Sequence, residues 1–224
     1  MGFGNAKAER PYTKTIKWRS SESRFEYYDG ENNQTIEIES FIPLEEMASV
    51  SGYHDGQKQG IWSNEVLDLR NDLEVRAGNS VVVTGPWKNI KTEVAGMGGK
   101  FTNVVIALMP DGEIVRFLFA GSGCSGWIGK KFNPMQKQCG VSFDGSHEEK
   151  TGRVTYNVPD FSPKRLNDEE TIKAMESWKL VDSWLNDKGI DRAEMNQDVE
   201  HDHNQDDPNA DANAAFQQAE EVPF

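Results

Sequence analysis

The sequence predicts a mostly antiparallel β-barrel followed by one amphipathic helix and an acidic tail. Three observations predict it. Apolar and polar residues alternate in short runs through residues 1–166, a single stripe at helical spacing follows over 167–189, and large apolar residues almost vanish from 190 until Phe216. Thr13 to Arg19 puts Ile16 and Trp18 on one face and Thr15, Lys17 and Arg19 on the other, the period of a half-buried strand. Arg24 to Tyr28 and Gln34 to Phe41 repeat the alternation, with Ile36 and Ile38 inward and Glu37 and Glu39 outward. Val81-Val82-Val83-Thr84 is β-branched and stops at Gly85-Pro86. Phe101 to Met109 and Glu113 to Ala120 flank Pro110-Asp111-Gly112. Pro presets φ there and Gly accepts the positive φ of a tight turn, which predicts a hairpin. Cys139 to Phe143 and Arg153 to Val158 complete the strands, and a short helical turn is expected near Trp127 to Phe132.

Asn167 followed by Glu170 is a capping arrangement, in which each side chain satisfies a free backbone N–H of the first turn. Ile172, Met175, Trp178, Val181 and Leu185 then recur at spacings of three and four, an apolar stripe expected to pack on the barrel, and Lys188-Gly189 ends the helix. The tail is rich in Asp, Asn, Gln and Ala. Such a composition cannot offset roughly 1–2 kcal/mol of backbone entropy per ordered residue, so disorder is expected there.

Charge is distributed unevenly. The chain carries −13 formally, of which residues 191–224 hold −9, from ten acids and Arg192, leaving −4 for the remaining 190 residues. Because salt screens charges beyond ~8–10 Å, the body acts as a mixed-charge surface whatever the tail carries. Its first twenty residues are positive, with Lys7, Arg10, Lys14, Lys17 and Arg19 against Glu9. No run of about 18 apolar residues exists, the N-terminus lacks the apolar stretch of a signal peptide, and Ala6 stands where myristoylation wants Ser or Thr. A cytoplasmic protein with no membrane partner is expected. With Cys124 and Cys139 alone, a disulfide scaffold and a four-cysteine zinc site are excluded.

Two glycine-rich stretches invite a nucleotide reading. Gly121-Ser122-Gly123-Cys124-Ser125-Gly126 matches G-x-G-x-x-G, yet the strand before it belongs to a hairpin and Gly129 and Pro134 leave little room for the helix a pyrophosphate needs. Gly96-Met97-Gly98-Gly99-Lys100-Phe101-Thr102 has Phe where a phosphate loop holds magnesium with Ser or Thr, and reads better as a flexible connection. His201-Asp202-His203 lies among acids with nothing to preorganise it as a metal site. His54 and His147 have no Ser, Cys or carboxylate partner at motif spacing. No catalytic residue, cofactor or metal is therefore expected.

Aromatic residues and cations instead alternate at strand ends and loops: Trp87-Lys88 with Lys91, Lys100-Phe101, and Trp127 with Lys130, Lys131 and Phe132. A base stacks on an exposed ring for ~1–3 kcal/mol while Lys and Arg neutralise the adjacent phosphates, a pairing that binds a single strand with little regard to sequence. Lys17 and Arg19 on the first strand and Tyr28 on the second extend the candidate surface. The alternative reading of the rings places Trp18, Trp62 and several Phe in the core, since Phe117 and Phe119 share a continuous apolar run.

The tip Glu220-Glu221-Val222-Pro223-Phe224 is similar to the ending of bacterial single-stranded-DNA-binding proteins, in which acidic residues precede an aliphatic residue, Pro and Phe. A β-rich body, an acidic segment and a terminal Phe are also the layout of the bacteriophage members of that class, which the chain resembles. The resemblance implies an OB-fold-like barrel that binds single-stranded DNA in replication, recombination or repair, in the host cytoplasm if phage-encoded. It also implies a partner-docking role for Glu220, Glu221, Val222, Pro223 and Phe224, with replication or recombination proteins as partners. An acidic tether of 34 residues has a reach of about 30 Å, enough to cover the chain's own DNA groove until DNA displaces it. Two alternatives remain open: an RNA-binding OB-fold protein, since no residue pattern here reads a 2′-hydroxyl, and a nucleotide-binding enzyme using the turn from Gly121 to Gly126.

Overall fold

Residues 10–190 are described by the structure, a computed structural model. The tail, its tip and the His201–His203 cluster lie outside the described residues. The first three strands, β1 (Lys14–Arg19), β2 (Arg24–Tyr28) and β3 (Asn33–Ile36), form an antiparallel meander in which Ile16 faces Tyr27, Trp18 faces Phe25, and Phe25 faces Ile36. The run expected from Gln34 to Phe41 is broken after Ile36, and a new strand, β4 (Ser40–His54), begins. Ile38 in the break is buried as expected. β5 (Gln59–Ser63), β6 (Leu73–Ala77) and β7 (Ser80–Gly85) continue by antiparallel pairing to the edge of the sheet. Helix α1 (Trp87–Gly96) leads into the predicted hairpin, β8 (Gly99–Leu108) and β9 (Ile114–Ala120). Two short helices, α2 (Ser122–Gly129) and α3 (Pro134–Lys137), precede the long hairpin of β10 (Gly140–Thr151) and β11 (Val154–Lys164), and α4 (Asp168–Asp187) closes the fold.

The protein is mainly β, and its sheet runs β3-β2-β1-β9-β8-β4-β5-β6-β7, with β10 joining β4 and β11 joining β10. Every pairing is antiparallel except β1 with β9. The outer strand β11 comes back to the far end of β1. There the Asn157 N–H donates to the Ser20 carbonyl at 3.3 Å, the Asn157 side chain donates to the same carbonyl at 2.9 Å, and Trp18 Nε1 donates to the Asn157 carbonyl at 2.9 Å. The strands β1, β9, β8, β4, β10 and β11 thus enclose one aromatic core containing Phe25, Phe41, Phe117, Phe119 and Trp127.

β4 is the strand on which the rest depends. It pairs with β8 along its length, with β10 at its start and with β5 at its end. A bulge between Pro43 and Glu45 lets Pro enter the ladder, the kind of position where a missing N–H is tolerated. β8 is buried on both faces. Val105 and Ala107 point into the aromatic core, whereas Val104, Ile106 and Leu108 face a second cluster formed with α4. The third cluster lies between the β4–β7 layer and α1, with Val50, Ile61, Val75, Trp87 and Ile90 at its centre.

Helix α4 starts at the predicted Asn167–Glu170 capping box, with Asn167 Oδ1 accepting from the Glu170 N–H at 2.8 Å and Glu170 Oε2 accepting from the Asn167 N–H at 3.0 Å. Its buried face is turned from the expected one. Ala174, Trp178, Val181, Trp184 and Leu185 pack on the sheet, while Ile172 and Met175 are exposed. The series 174, 178, 181, 185 has the same spacing as the expected stripe, and the small Ala174 gave it no weight in the sequence. Cys124 and Cys139 are unbridged, and burial pushes the Cys124 thiol up to about 12.

Close packing explains Gly123 and Gly126 in one rich stretch and Gly98 and Gly99 in the other. A Cβ on Gly126 would lie 2.2 Å from the Pro159 carbonyl, and one on Gly123 would lie 3.1 Å from Trp18 Cβ, so α2 needs them to approach β11 and β1. The stretch expected to be a flexible connection is ordered: a Cβ on Gly52 would lie 2.3 Å from the Gly98 carbonyl, where the end of α1 meets β4.

Candidate nucleic-acid interface

The residues expected to form one aromatic and cationic surface are distributed over three places. Trp87 and Trp127, expected to stack on bases, are core residues at 3% and 0% exposure. Trp87 is the first residue of α1 and packs on Phe101 at 5.2 Å, so that pair fills the third cluster rather than facing solvent. Lys88 and Lys91 lie on α1 beneath the β4–β7 layer. Trp127 lies parallel to Phe119 at 4.9 Å, and its Nε1 donates to Glu46 Oε1 at 2.8 Å. Lys130 is drawn inward with it. Its Nζ stands 3.8 Å over the Trp127 ring and donates to the Trp127 carbonyl at 2.8 Å, and burial pulls its pKa down despite Glu46 nearby. An aromatic followed three residues later by a lysine therefore marks an internal cation–π pair here, not a stacking platform. Phe132 is half-buried against the aromatic core and Lys131 is exposed.

A groove of about 470 Å³ runs between α2–α3 and the β10–β11 hairpin, lined by Lys130, Lys131, Lys137 and His147, with Glu149 and Asp160 on the hairpin side. His147 Nδ1 lies 2.9 Å from Asp160 Oδ1 and its Nε2 3.2 Å from Glu149 Oε1. Those hydrogen bonds, Asp160's first, raise its pKa above the ordinary value. No carboxylate partner for His147 is visible at motif spacing; the hairpin register, which pairs His147 with Val158, supplies Asp160.

Lys17 and Arg19 are exposed on β1, but acids surround them. Lys17 is paired in register with Glu26, and Arg19 Nε lies 3.7 Å from Glu22 and 3.6 Å from Glu26. Tyr28 is exposed and its hydroxyl donates to the Gly30 carbonyl at 2.7 Å.

Lys100 belongs to a different arrangement, one that the sequence pattern did not reveal. In register across four strands stand Lys100 on β8, Ser51 on β4, Trp62 on β5 and Arg76 on β6. Cross-strand partners share a face, so these four side chains form one row on the side of the layer opposite α1. Trp62, which the alternative reading placed in the core, is 48% exposed, and Tyr53, two residues along β4 from Ser51, is 50% exposed. Trp62 is the exposed member of the chain's six tryptophans. Its Nε1 donates to the Gly78 carbonyl at 3.1 Å and the Arg76 guanidinium stands 5.6 Å from its ring. Arg76 Nε in turn donates to Glu74 Oε1 at 2.8 Å, which fixes the guanidinium beside the indole. Lys100 stands in the same row as Trp62, and Lys58, in the turn between β4 and β5, is exposed as well. Alternation around Ile61 was the available signal: Ile61 is buried, so its neighbour Trp62 must point the other way.

Among the described residues no helix is long and apolar enough to cross a membrane, and no group of three or more His, Cys, Asp or Glu side chains is placed to hold a metal ion. No family model, curated protein or solved structure matches the chain.

Proposed function

We propose that the protein binds single-stranded DNA on the face carrying Trp62 and Tyr53, in replication, recombination or repair, and recruits other proteins of those processes through its acidic C-terminal tip. The observation that carries this reading is an indole held half-exposed on a sheet face, fixed by Arg76 and Gly78, with Lys100 in its row and Lys58 exposed in the β4–β5 turn. A free strand offers unpaired base faces to stack and phosphates within reach of the cations, and a duplex hides those faces. The tip Glu220-Glu221-Val222-Pro223-Phe224 supports the recruitment half of the proposal by its resemblance to the ending of bacterial single-stranded-DNA-binding proteins.

The test uses the indole as its own reporter. Single-stranded DNA quenches intrinsic fluorescence in the parent, Trp62→Phe keeps most of the affinity but loses the quench, and Trp62→Ala loses about 1–3 kcal/mol of affinity, one base stack. Binding weakens steeply with added salt, because phosphate contacts release counterions. Duplex DNA bound as tightly as the single strand at equal salt overturns the proposal. Tighter binding of a matched RNA strand reassigns the nucleic acid while leaving the site in place.

A further inference from the structure

β5 carries a glycine that the protein's own packing does not require. Gly60 sits inside the strand, its φ is outside the left-handed range, and the β4–β5 register runs past it without a shift. A Cβ built on it meets no heavy atom within 4 Å. Glycine in a strand interior costs conformational entropy and contributes no packing, and where no bulge or bend explains it, it leaves room for close approach by a ligand or another backbone. Nearby glycines do have internal reasons, since Gly52 abuts the Gly98 carbonyl and Gly78 has a φ of +58° in a turn.

The neighbours of Gly60 give that approach a shape. Tyr53 is its register partner on β4, and Trp62 lies two residues along β5, so all three positions face the same side. Trp62 is in turn the partner of Ser51. The four positions therefore form a checkerboard, with aromatic rings on one diagonal and the small residues Ser51 and Gly60 on the other. Diagonal neighbours on an antiparallel face stand about 7–8 Å apart. A planar ring in van der Waals contact on both faces needs two separations of about 3.5–4.0 Å, the same span. The indole leans toward Gly78, in the turn that follows β6, and even so the space above Gly60 stays open.

We propose that Gly60 is the floor of a slot that takes one unpaired nucleobase between Tyr53 and Trp62. The slot rests on the single-strand reading of this face and adds to it a site of defined capacity: one base inserts, while its neighbours remain over Lys100 and Lys58. A paired base cannot enter, because its partner and the opposite strand would meet the sheet. Gly60 is then a positioning residue that acts by having no side chain.

The experiment sets stability against binding in one variant. Gly60→Val supplies a β-branched side chain to a strand position with open space above it, so the thermal unfolding midpoint stays level or rises. The same side chain fills the slot, and affinity for a labelled oligo-dT strand falls about 5- to 150-fold, the range of one lost base stack. Tyr53→Ala removes the opposite wall without touching the strand backbone and produces a loss in the same range. Added to Gly60→Val, it costs little more, because the slot is already closed. Parent-like affinity in Gly60→Val together with weak binding in Trp62→Ala overturns the slot and leaves the stacking face standing. Parent-like affinity in both overturns the reading on which the slot rests. If Gly60→Val unfolds, the glycine is structural, and parent-like binding by Tyr53→Ala independently removes the slot.

Discussion

His147 stands between two carboxylates on the β10–β11 hairpin, and its charge depends on them. Asp160 and Glu149 favour the imidazolium, so its folded pKa lies above the ordinary 6.5. A group with a raised folded pKa contributes stability that is fully present below the unfolded value and is lost as pH rises through the folded one. The urea midpoint of the parent should therefore decline, as pH rises above the ordinary 6.5, more than that of His147→Gln. The difference is small, because the imidazole is half-exposed and solvent screens both partners. A variant that follows the parent's profile would show that the contacts contribute nothing to folding. The same scale explains which site residues the sequence disclosed. Lys100 was legible as an exposed cation at a strand start, but Trp62 and Trp127 exchanged roles. An indole beside a lysine carries the same local signal whether the pair faces water or, like Trp127 with Lys130, turns inward to reach Glu46. The donor–acceptor partner that decides between them lies 81 residues away.

Helix α4 shows at the next scale why some elements were legible and others were not. Its capping box is local chemistry, complete within four residues, and it holds the helix start against solvent with three acids in the first turn. Asn167→Ala should remove the acceptor for the Glu170 N–H and cost about 1 kcal/mol, within a range of about 0.5–2, read from chemical denaturation. Glu170 also holds Lys164 at 2.8 Å, so a loss well above that range would mean that the β11 end loosens with the cap. The predicted hairpin of β8 and β9 was equally local, set by Pro110-Asp111-Gly112 between two apolar runs. β4 was not. Glu45-Glu46-Met47-Ala48 has helical propensity and no alternation, and it becomes strand because β8 pairs with it from Ile42 to Gly52. The outline, a mainly β protein ending in a helix, was therefore readable from turns and caps. The second layer of β5, β6 and α1, which presents the candidate site, was fixed by pairings that no local window contains.

At the scale of the whole molecule the proposal makes the acidic tail an electrostatic competitor and a docking arm, and the two roles depend on different residues. Residues 191–224 carry −9 of the chain's −13. In the proposed protein those charges compete with phosphates for Lys58, Lys100 and the other exposed cations of the body. Removing 191–224 should therefore leave single-strand affinity unchanged or raise it, most at low salt where attraction is least screened. It should also steepen the salt dependence, because counterions then occupy the cations the tail had covered. Removing Phe224 alone leaves all nine net negative charges in place, so DNA affinity should stay near the parent's. Capture of a replication protein by the tip should nevertheless fail, since the apolar anchor of the docking peptide is gone. The decisive measurement is a pair of titrations, oligonucleotide binding and partner pull-down, on the parent, tail-less and Phe224-less proteins. Loss of DNA binding in the tail-less protein would mean that residues 191–224 belong to the binding fold itself, and the competitor role would have to be abandoned. Partner capture that survives loss of Phe224 would move the docking determinant away from the tip while leaving the single-strand face untouched.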